Sequence, residues 1–421
     1  MAKINEGHLG AGAAAVRSAE SRVGLRAIPA GVWALGFVSM FMDISSEMIH
    51  ALLPVYLVTV LGTSALTVGF IEGIAEATGQ ITRIFSGALS DRVGRRKALA
   101  AFGYGFSACT KLIFPLASVV GWLVAARFID RLGKGIRGAP RDALVADISP
   151  PHLRGASFGL RQSLDTVGAL LGPLFAIALM WLTTNHFTVI FWIAVVPAFV
   201  SVGLILVTVH EPAREEDALL VREPGRFSRL GSLGSPCWLV IAIGTIFTLA
   251  RFSEAFLVLR AQSIGLPLML VPAVLVVMNI AYSLSAYPVG ALSDRMDRTM
   301  MLIVGLCILI VADLVLAQAP GVAALVVGVL LWGLHMGFTQ GLFAALIADT
   351  APPDRRGTAF GMFNLVSGLA QFCASVIAGV FWDAHGPGST FIVGAALSIL
   401  ALAALLSVRN LLRRPSVAVG T

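Results

Sequence analysis

The sequence predicts an all-α membrane protein of twelve transmembrane helices, arranged as two pseudo-symmetric six-helix halves, and three observations carry that expectation. The first is internal duplication. Gly87-Ala88-Leu89-Ser90-Asp91-Arg92 recurs letter for letter as Gly290-Ala291-Leu292-Ser293-Asp294-Arg295, 203 residues later. Ala143 to Gly159 recurs as Ala345 to Gly361, identical at ten of seventeen positions with an offset of 202. Two matches at almost one offset mean that a long segment has been copied. The second observation is composition: 57% of the 421 residues are hydrophobic and 13% charged, with a mean hydropathy of +0.88. That lies outside the balance of a soluble domain. The third is a series of twelve apolar runs of about the 20 residues that a spanning helix needs.

In chain order the runs extend approximately from 32 to 61, 66 to 89, 98 to 118, 121 to 141, 156 to 180 and 188 to 209 in the first half. The second half gives 237 to 261, 267 to 292, 300 to 318, 322 to 348, 358 to 382 and 388 to 408. None has the strict alternation of a barrel strand, so each satisfies its backbone as a helix. The first run carries Asp43, Glu47 and His50 on one helical face, spaced i, i+4, i+7. With a rise of about 1.5 Å per residue from position 32, Asp43 falls roughly 16 Å into the membrane, near the midplane. The second run carries Glu72, Glu76 and Arg83, the fourth Arg127, Asp130, Arg131 and Lys134, and the fifth Arg161 and Asp165. In the second half the charges thin to Arg251 and Glu254 in the seventh run and Asp313 in the ninth, with His335 in the tenth. Tryptophans 122, 181, 192, 332 and 382 are expected at the membrane interfaces.

Between the runs, Arg92, Arg95, Arg96, Lys97, Arg154, Arg295, Arg298, Arg355 and Arg356 fall in one set of loops. Retention of basic loops inside the cell predicts cytoplasmic termini and a plasma (inner) membrane location. The expected organisation is a tail over 1–29, a helical half over 30–209, a linker over 210–235, a second half over 236–408 and a tail over 409–421. The first 29 residues lack the apolar core of a cleaved signal. The net charge of +7 is accounted for by this topology and by anionic lipid, which argues against a nucleic-acid partner. Cys109, Cys237, Cys307 and Cys373 are isolated, with no metal-ligand spacing and no implied cofactor. No phosphate-cradling glycine loop points to ATP.

The loop Gly87-Ala-Leu-Ser-Asp91-Arg92-Val-Gly94-Arg95-Arg96-Lys97 resembles the signature between helices two and three of the major facilitator superfamily, with Gly290 to Arg298 as a second, weaker copy. Arg127, followed by Gly133 and Gly135, is similar to the family's fourth-helix motif. Gly168-Ala-Leu-Leu-Gly172-Pro173 resembles a fifth-helix motif of its antiporters. Asp43 with Pro54 loosely matches a first-helix motif of drug and proton antiporters. The resemblance spans about 30 to 410. It implies that Gly87, Asp91, Arg92, Gly94, Arg95, Arg96, Asp294 and Arg295 act in a gate that ties the halves together on the inside in the outward-open state. It also implies that Arg127 lies near the first helix's side of the cavity.

A charged side chain at a helix centre costs about 2.5 to 3.5 kcal/mol unless it finds a partner or water, so these residues mark a pathway. Asp43 and Glu47 are the expected proton carriers, Arg127 their positive partner, Glu76 and Asp165 secondary carriers, and Arg251 with Glu254 a contribution from the other half. Buried ion pairs that only position helices would give the same pattern. The expected function is proton-coupled export of a small organic or amphipathic compound by alternating access, in a chain functional as a monomer. A proton symporter importing a nutrient or iron chelate would use the same groups. A membrane enzyme is the remote alternative, and no nucleophile accompanies the Asp43, Glu47, His50 stripe.

Overall fold

The computed structural model describes residues 27–93, 95–150, 153–211, 233–293, 297–339, 342–352 and 356–412. The first half comprises α1 (Ala30–Thr59), α2 (Ala65–Val93), α3 (Arg96–Lys111, followed by a turn at Ile113–Leu116), α4 (Val120–Ile148), α5 (Arg154–Leu182) and α6 (Phe187–Thr208). In the second half α7 is in two pieces, Ser235–Ala250 and Ala255–Ser263. A short turn at Leu268–Leu270 precedes α8 (Ala273–Ser293) and α9 (Arg298–Gln318). Helix α10 is described as Val322–Thr339 and Leu342–Thr350, followed by α11 (Arg356–His385) and α12 (Pro387–Leu412). Helices α3, α4 and α5 begin at 96, 120 and 154; their counterparts α9, α10 and α11 begin at 298, 322 and 356, each 202 residues on. The duplication thus appears as a repeated six-helix unit.

Ten helices among the described residues are long and apolar enough to cross a membrane. The other two of the twelve, α2 and α4, carry the densest intramembrane charge, which lowers their hydropathy below that of a simple span. Large apolar side chains such as Phe85, Trp122, Trp181, Val196, Val207 and Leu284 face outward, as a lipid-solvated surface requires. Trp332 departs from the expected interfacial role. It is fully buried and packs its ring on Phe252 with centroids 5.2 Å apart. Helix α4 also runs past its expected end at 141, through Pro140 to Ile148; packing against neighbouring helices lets a spanning helix tolerate proline.

The core differs between the two ends of the molecule. At the end away from the arginine-rich loops, one apolar cluster crosses both halves. It joins Leu53 and Tyr56 of α1 and Ile71 of α2 to Leu257 and Val258 of α7, Leu275 of α8 and Phe391 of α12. At the basic end this core divides. Val32, Leu35, Tyr104, Leu144 and Ile205 form a cluster in the first half, while Ile243, Leu302, Phe343 and Leu405 form another in the second. Helices α2 and α11 pack antiparallel across the halves, and Asp383 of α11 accepts bonds from the Ala65 and Leu66 amides at the start of α2, at 3.0 and 2.9 Å. The halves therefore share one apolar core at the far end and have divided cores at the basic end, with α2 and α11 in contact as far as Ile84 and Gly361.

Candidate functional site

Between the divided cores lies a central cavity of about 440 Å³, walled by α1, α2, α4, α5, α8 and α10, that reaches Arg83 and Gln162 toward the basic end. A second lobe of about 330 Å³ adds His50, Arg251 to Glu254 and Gln371. Glu47, Glu76, Gln80, Arg131 and Lys134 line both lobes, so the two adjoin along these side chains.

Asp43 and Glu47 reach this cavity because of the glycines opposite them. A Cβ on Gly168 of α5 would lie 2.7 Å from the Met40 carbonyl oxygen and 3.0 Å from the Asp43 Cβ. One on Gly172 would lie 2.6 Å from the Glu47 Cβ. Glycine at both positions lets α5 close on α1 at the turns that bear the two carboxylates. The fifth-helix motif, with Pro173 inside the helix, thus builds the seat of Asp43 and Glu47 by backbone approach.

Most of the charges in this half are already paired. Arg127 meets Glu72 through two bonds, at 3.1 and 2.8 Å, with both side chains about 1% exposed. The expected partnership of Arg127 with Asp43 and Glu47 is therefore corrected: Arg127 is enclosed between α2 and α4 and does not line the cavity. Glu47 accepts instead from His50 at 3.2 Å, whose other ring nitrogen is 3.5 Å from Glu72. Glu76 pairs with Arg131 at 2.8 Å. Asp165 pairs with Arg161 at 2.6 Å and stands 3.8 Å from Arg141. Lys111, passed over in the sequence, bonds Asp130 and Ser46, each at 3.0 Å, and is almost fully buried. A lone lysine near a span end carries no signal for such a pair, because the partner lies on another helix.

Four cavity side chains stand apart from these pairs. Among the described residues, Asp43 and Lys134 in the first half, and Arg251 and Glu254 in the second, are open to the cavity and have no oppositely charged group within ion-pair distance. Arg137 also lines the cavity without a carboxylate partner, but it is buried, donates to the Ser107 Oγ at 2.7 Å and lies over the Tyr104 ring. Arg251 to Glu254 is the break in α7, where a continuous helix was expected. Ser253 explains it, since its Oγ accepts from the Ala255 amide at 3.2 Å and starts a new helix. The break turns both charges into the cavity wall, where irregular backbone is tolerated in a membrane.

In the loop signature, Arg96 pairs with Asp147 at 2.5 Å and its amide donates to Glu211 at 2.6 Å. Asp147 lies in the other duplicated segment, so the two repeated motifs meet. Arg92 and Arg95 are exposed, and Gly87 faces Ala139 of α4. The expected roles of the Asp91 side chain, Gly94, Asp294 and Arg295 lie outside the described residues.

The sequence profile of the Major Facilitator Superfamily matches residues 35–375 and 261–419. The chain belongs to the major facilitator superfamily. An uncharacterised MFS-type transporter of Methanocaldococcus jannaschii is 32% identical to this superfamily member over 383 residues, 89% of this chain and 94% of the relative. Multidrug resistance protein MdtH of Photorhabdus laumondii is 31% identical over 168 residues, 38% of this chain and 39% of that protein. The structure of the nucleoside transporter NupG (D323A mutant) superposes with a TM-score of 0.76 at 12% identity, covering 90% of this chain and 99% of that one. At that identity the likeness concerns the major facilitator fold alone. The sequence-based expectation of two six-helix halves in a transporter fold is met.

Proposed function

We propose that this transporter couples the export of a small organic compound to proton entry by alternating access, with Asp43 as the proton-exchanging carboxylate. One observation carries the reading: of the first-half carboxylates described, Asp43 lines the cavity without an ion partner, whereas Glu47, Glu72, Glu76 and Asp165 are each engaged; Glu254 is the unengaged cavity carboxylate of the second half. From the start of α1 at Ala30, about 1.5 Å per residue puts Asp43 roughly 20 Å along the helix. An unengaged carboxylate at that depth can take a proton from one side and release it to the other as the access changes. Glu47, held by His50, is the second carrier. The similarity to a protein named for multidrug resistance supports the outward direction.

The basic loops at the open end support a plasma-membrane topology in which that end and both termini are cytoplasmic. The described state then faces inward, ready to load substrate from the cell interior. Each chain holds a complete cavity, so the monomer is the functional unit. The loop around Arg95 and Arg96 serves as the inner gate, engaged when the basic end closes.

Proteoliposomes loaded with a pH-sensitive dye test the reading. A compound gradient should drive proton movement opposite to itself, and Asp43→Asn should abolish proton movement while Glu47→Gln reduces it. Proton movement in the same direction as the compound would make the protein a symporter. Coupling that survives in Asp43→Asn would remove Asp43 from the mechanism.

A further inference from the structure

The charges left over after pairing define what the cavity can enclose. Lys134 stands where the two lobes meet, and Arg251 faces the same lobe from the other half. Asp43 shares the larger lobe with Lys134, and Glu254 shares the smaller with Arg251. The water-exposed set is two cations and two carboxylates, one of each sign from each half; Arg137, already buried against Ser107 and Tyr104, is not uncovered or covered by the motion. While the cavity is open, water solvates all four. When the halves close around a substrate, that water leaves, and a charge without a counter-ion becomes costly.

A substrate that supplies a counter-ion to each of the four must itself carry both signs. An amphipathic cation would satisfy a carboxylate and leave Lys134 and Arg251 unpaired. An organic anion would satisfy those two and leave the carboxylates. We infer that the central cavity is a binding site for a zwitterionic small molecule, its anionic group bridging Lys134 and Arg251 across the halves and its ammonium facing Asp43 or Glu254. A cavity of about 440 Å³ lies within the range of small-ligand sites. This inference rests on the transport reading above and deepens it. A carboxylate cannot hold a proton and a substrate ammonium at once, so an ammonium seated at Asp43 displaces the proton, which is the exchange an antiporter needs. The anionic group acts separately, because its two partners line one lobe from opposite halves, and a group held by both ties the halves together.

The test uses the full-length protein in lipid nanodiscs, with binding read as a concentration-dependent shift of the melting midpoint. The probes are 4-aminobutyrate, 6-aminohexanoate and alanyl-alanine, each beside its N-acetyl and C-amide derivatives, with tetraphenylphosphonium as the amphipathic cation. At least one zwitterion should bind at least tenfold more tightly than both of its capped derivatives. Lys134→Gln and Arg251→Gln should each weaken that zwitterion about tenfold and leave its C-amide unchanged, while Lys134→Arg keeps the binding. The ligand-free midpoint of each variant identifies any that fails to fold, and Lys134→Arg then serves as the folded comparison. Equal binding of a zwitterion and its N-acetyl or amide form, tighter binding of tetraphenylphosphonium, or no binding by any zwitterion overturns the proposal. Parallel proteoliposome assays separate the two claims: zwitterion binding without proton movement refutes the coupling and leaves the site, while proton movement driven by tetraphenylphosphonium alone refutes the site and leaves the coupling.

Discussion

Replacing Asp383 by alanine should shift the protein toward its far-end-open state, because this carboxylate is a polar tie across the sealed end. Its two oxygens accept from the Ala65 and Leu66 amides at 3.0 and 2.9 Å, joining α11 of one half to the first turn of α2 of the other. Those amides belong to the unsatisfied set at a helix start, and the carboxylate also complements the positive end of the helix dipole. Loss of a capping side chain costs about 0.5–2 kcal/mol. Asp383 is exposed to solvent, so about 1 kcal/mol is appropriate, which is about a fivefold change in an equilibrium constant. Opening the far end must break this tie; alanine removes its contribution from the closed state only. The population open at the far end should rise about fivefold, and Asp383→Asn, which keeps one neutral acceptor, should give a smaller rise. The readout is the rate at which a membrane-impermeant maleimide labels Val258→Cys in a cysteine-free background, since Val258 is fully buried in the cluster that joins the halves. An unchanged labelling rate in Asp383→Ala, with an unchanged melting midpoint, would refute the idea that this cap restrains opening.

Gly172→Ala should cost about 1–3 kcal/mol by overpacking, lowering the detergent melting midpoint and the proton coupling together, because its Cβ would meet the Glu47 Cβ at 2.6 Å. Gly105→Ala in α3, which has open space around its Cβ, should leave the stability unchanged or increase it by up to about 1 kcal/mol of helix propensity, so the midpoint should not fall. Arg127→Met should destabilise by about 3–5 kcal/mol because it strands the buried Glu72 carboxylate. Adding Glu72→Gln should recover part of that loss in the same melting assay.

The fold was legible because bilayer and duplication both write themselves into composition: long apolar runs fix the helices, and a repeat near 202 residues fixes the halves. The break in α7 was not legible, since Arg251 and Glu254 read equally well as charges on an unbroken helix. Ser253 capping Ala255 decides the matter only once the chain is folded. Asp43, Glu47, Glu76, Asp165, Arg251 and Glu254 all reach the cavity, because intramembrane charge is costly unless it meets water or a partner. Arg127 obeys the same rule by the other route, a partner, and the sequence alone does not separate the two. Partner choice is set by which helices cross, as with Lys111 and Asp130.

That distinction between paired and unpaired charge organises the mechanism. Arg127 with Glu72, Arg131 with Glu76, Lys111 with Asp130, Arg96 with Asp147 and His50 with Glu72 each join different helices of the first half. The pairs of Arg127 with Glu72 and Lys111 with Asp130 are buried on both sides, and a buried pair loses several kcal/mol when one partner is withdrawn. These two contacts therefore resist motion of α2 and α3 past α4, while the half-exposed pairs of Glu76 and Asp147 add less. The far-end contact between the halves has a different character: interdigitated apolar side chains and one exposed cap. Apolar packing can be exchanged for other apolar packing with little loss inside a membrane, where lipid tails are as apolar as leucine. The molecule is therefore stiff within its first half and yielding between halves, which is the mechanical condition for rocking about a fixed central site. The water-exposed cavity charges left without ion partners are those that the rocking must cover, and a substrate bearing both signs is what would let it do so.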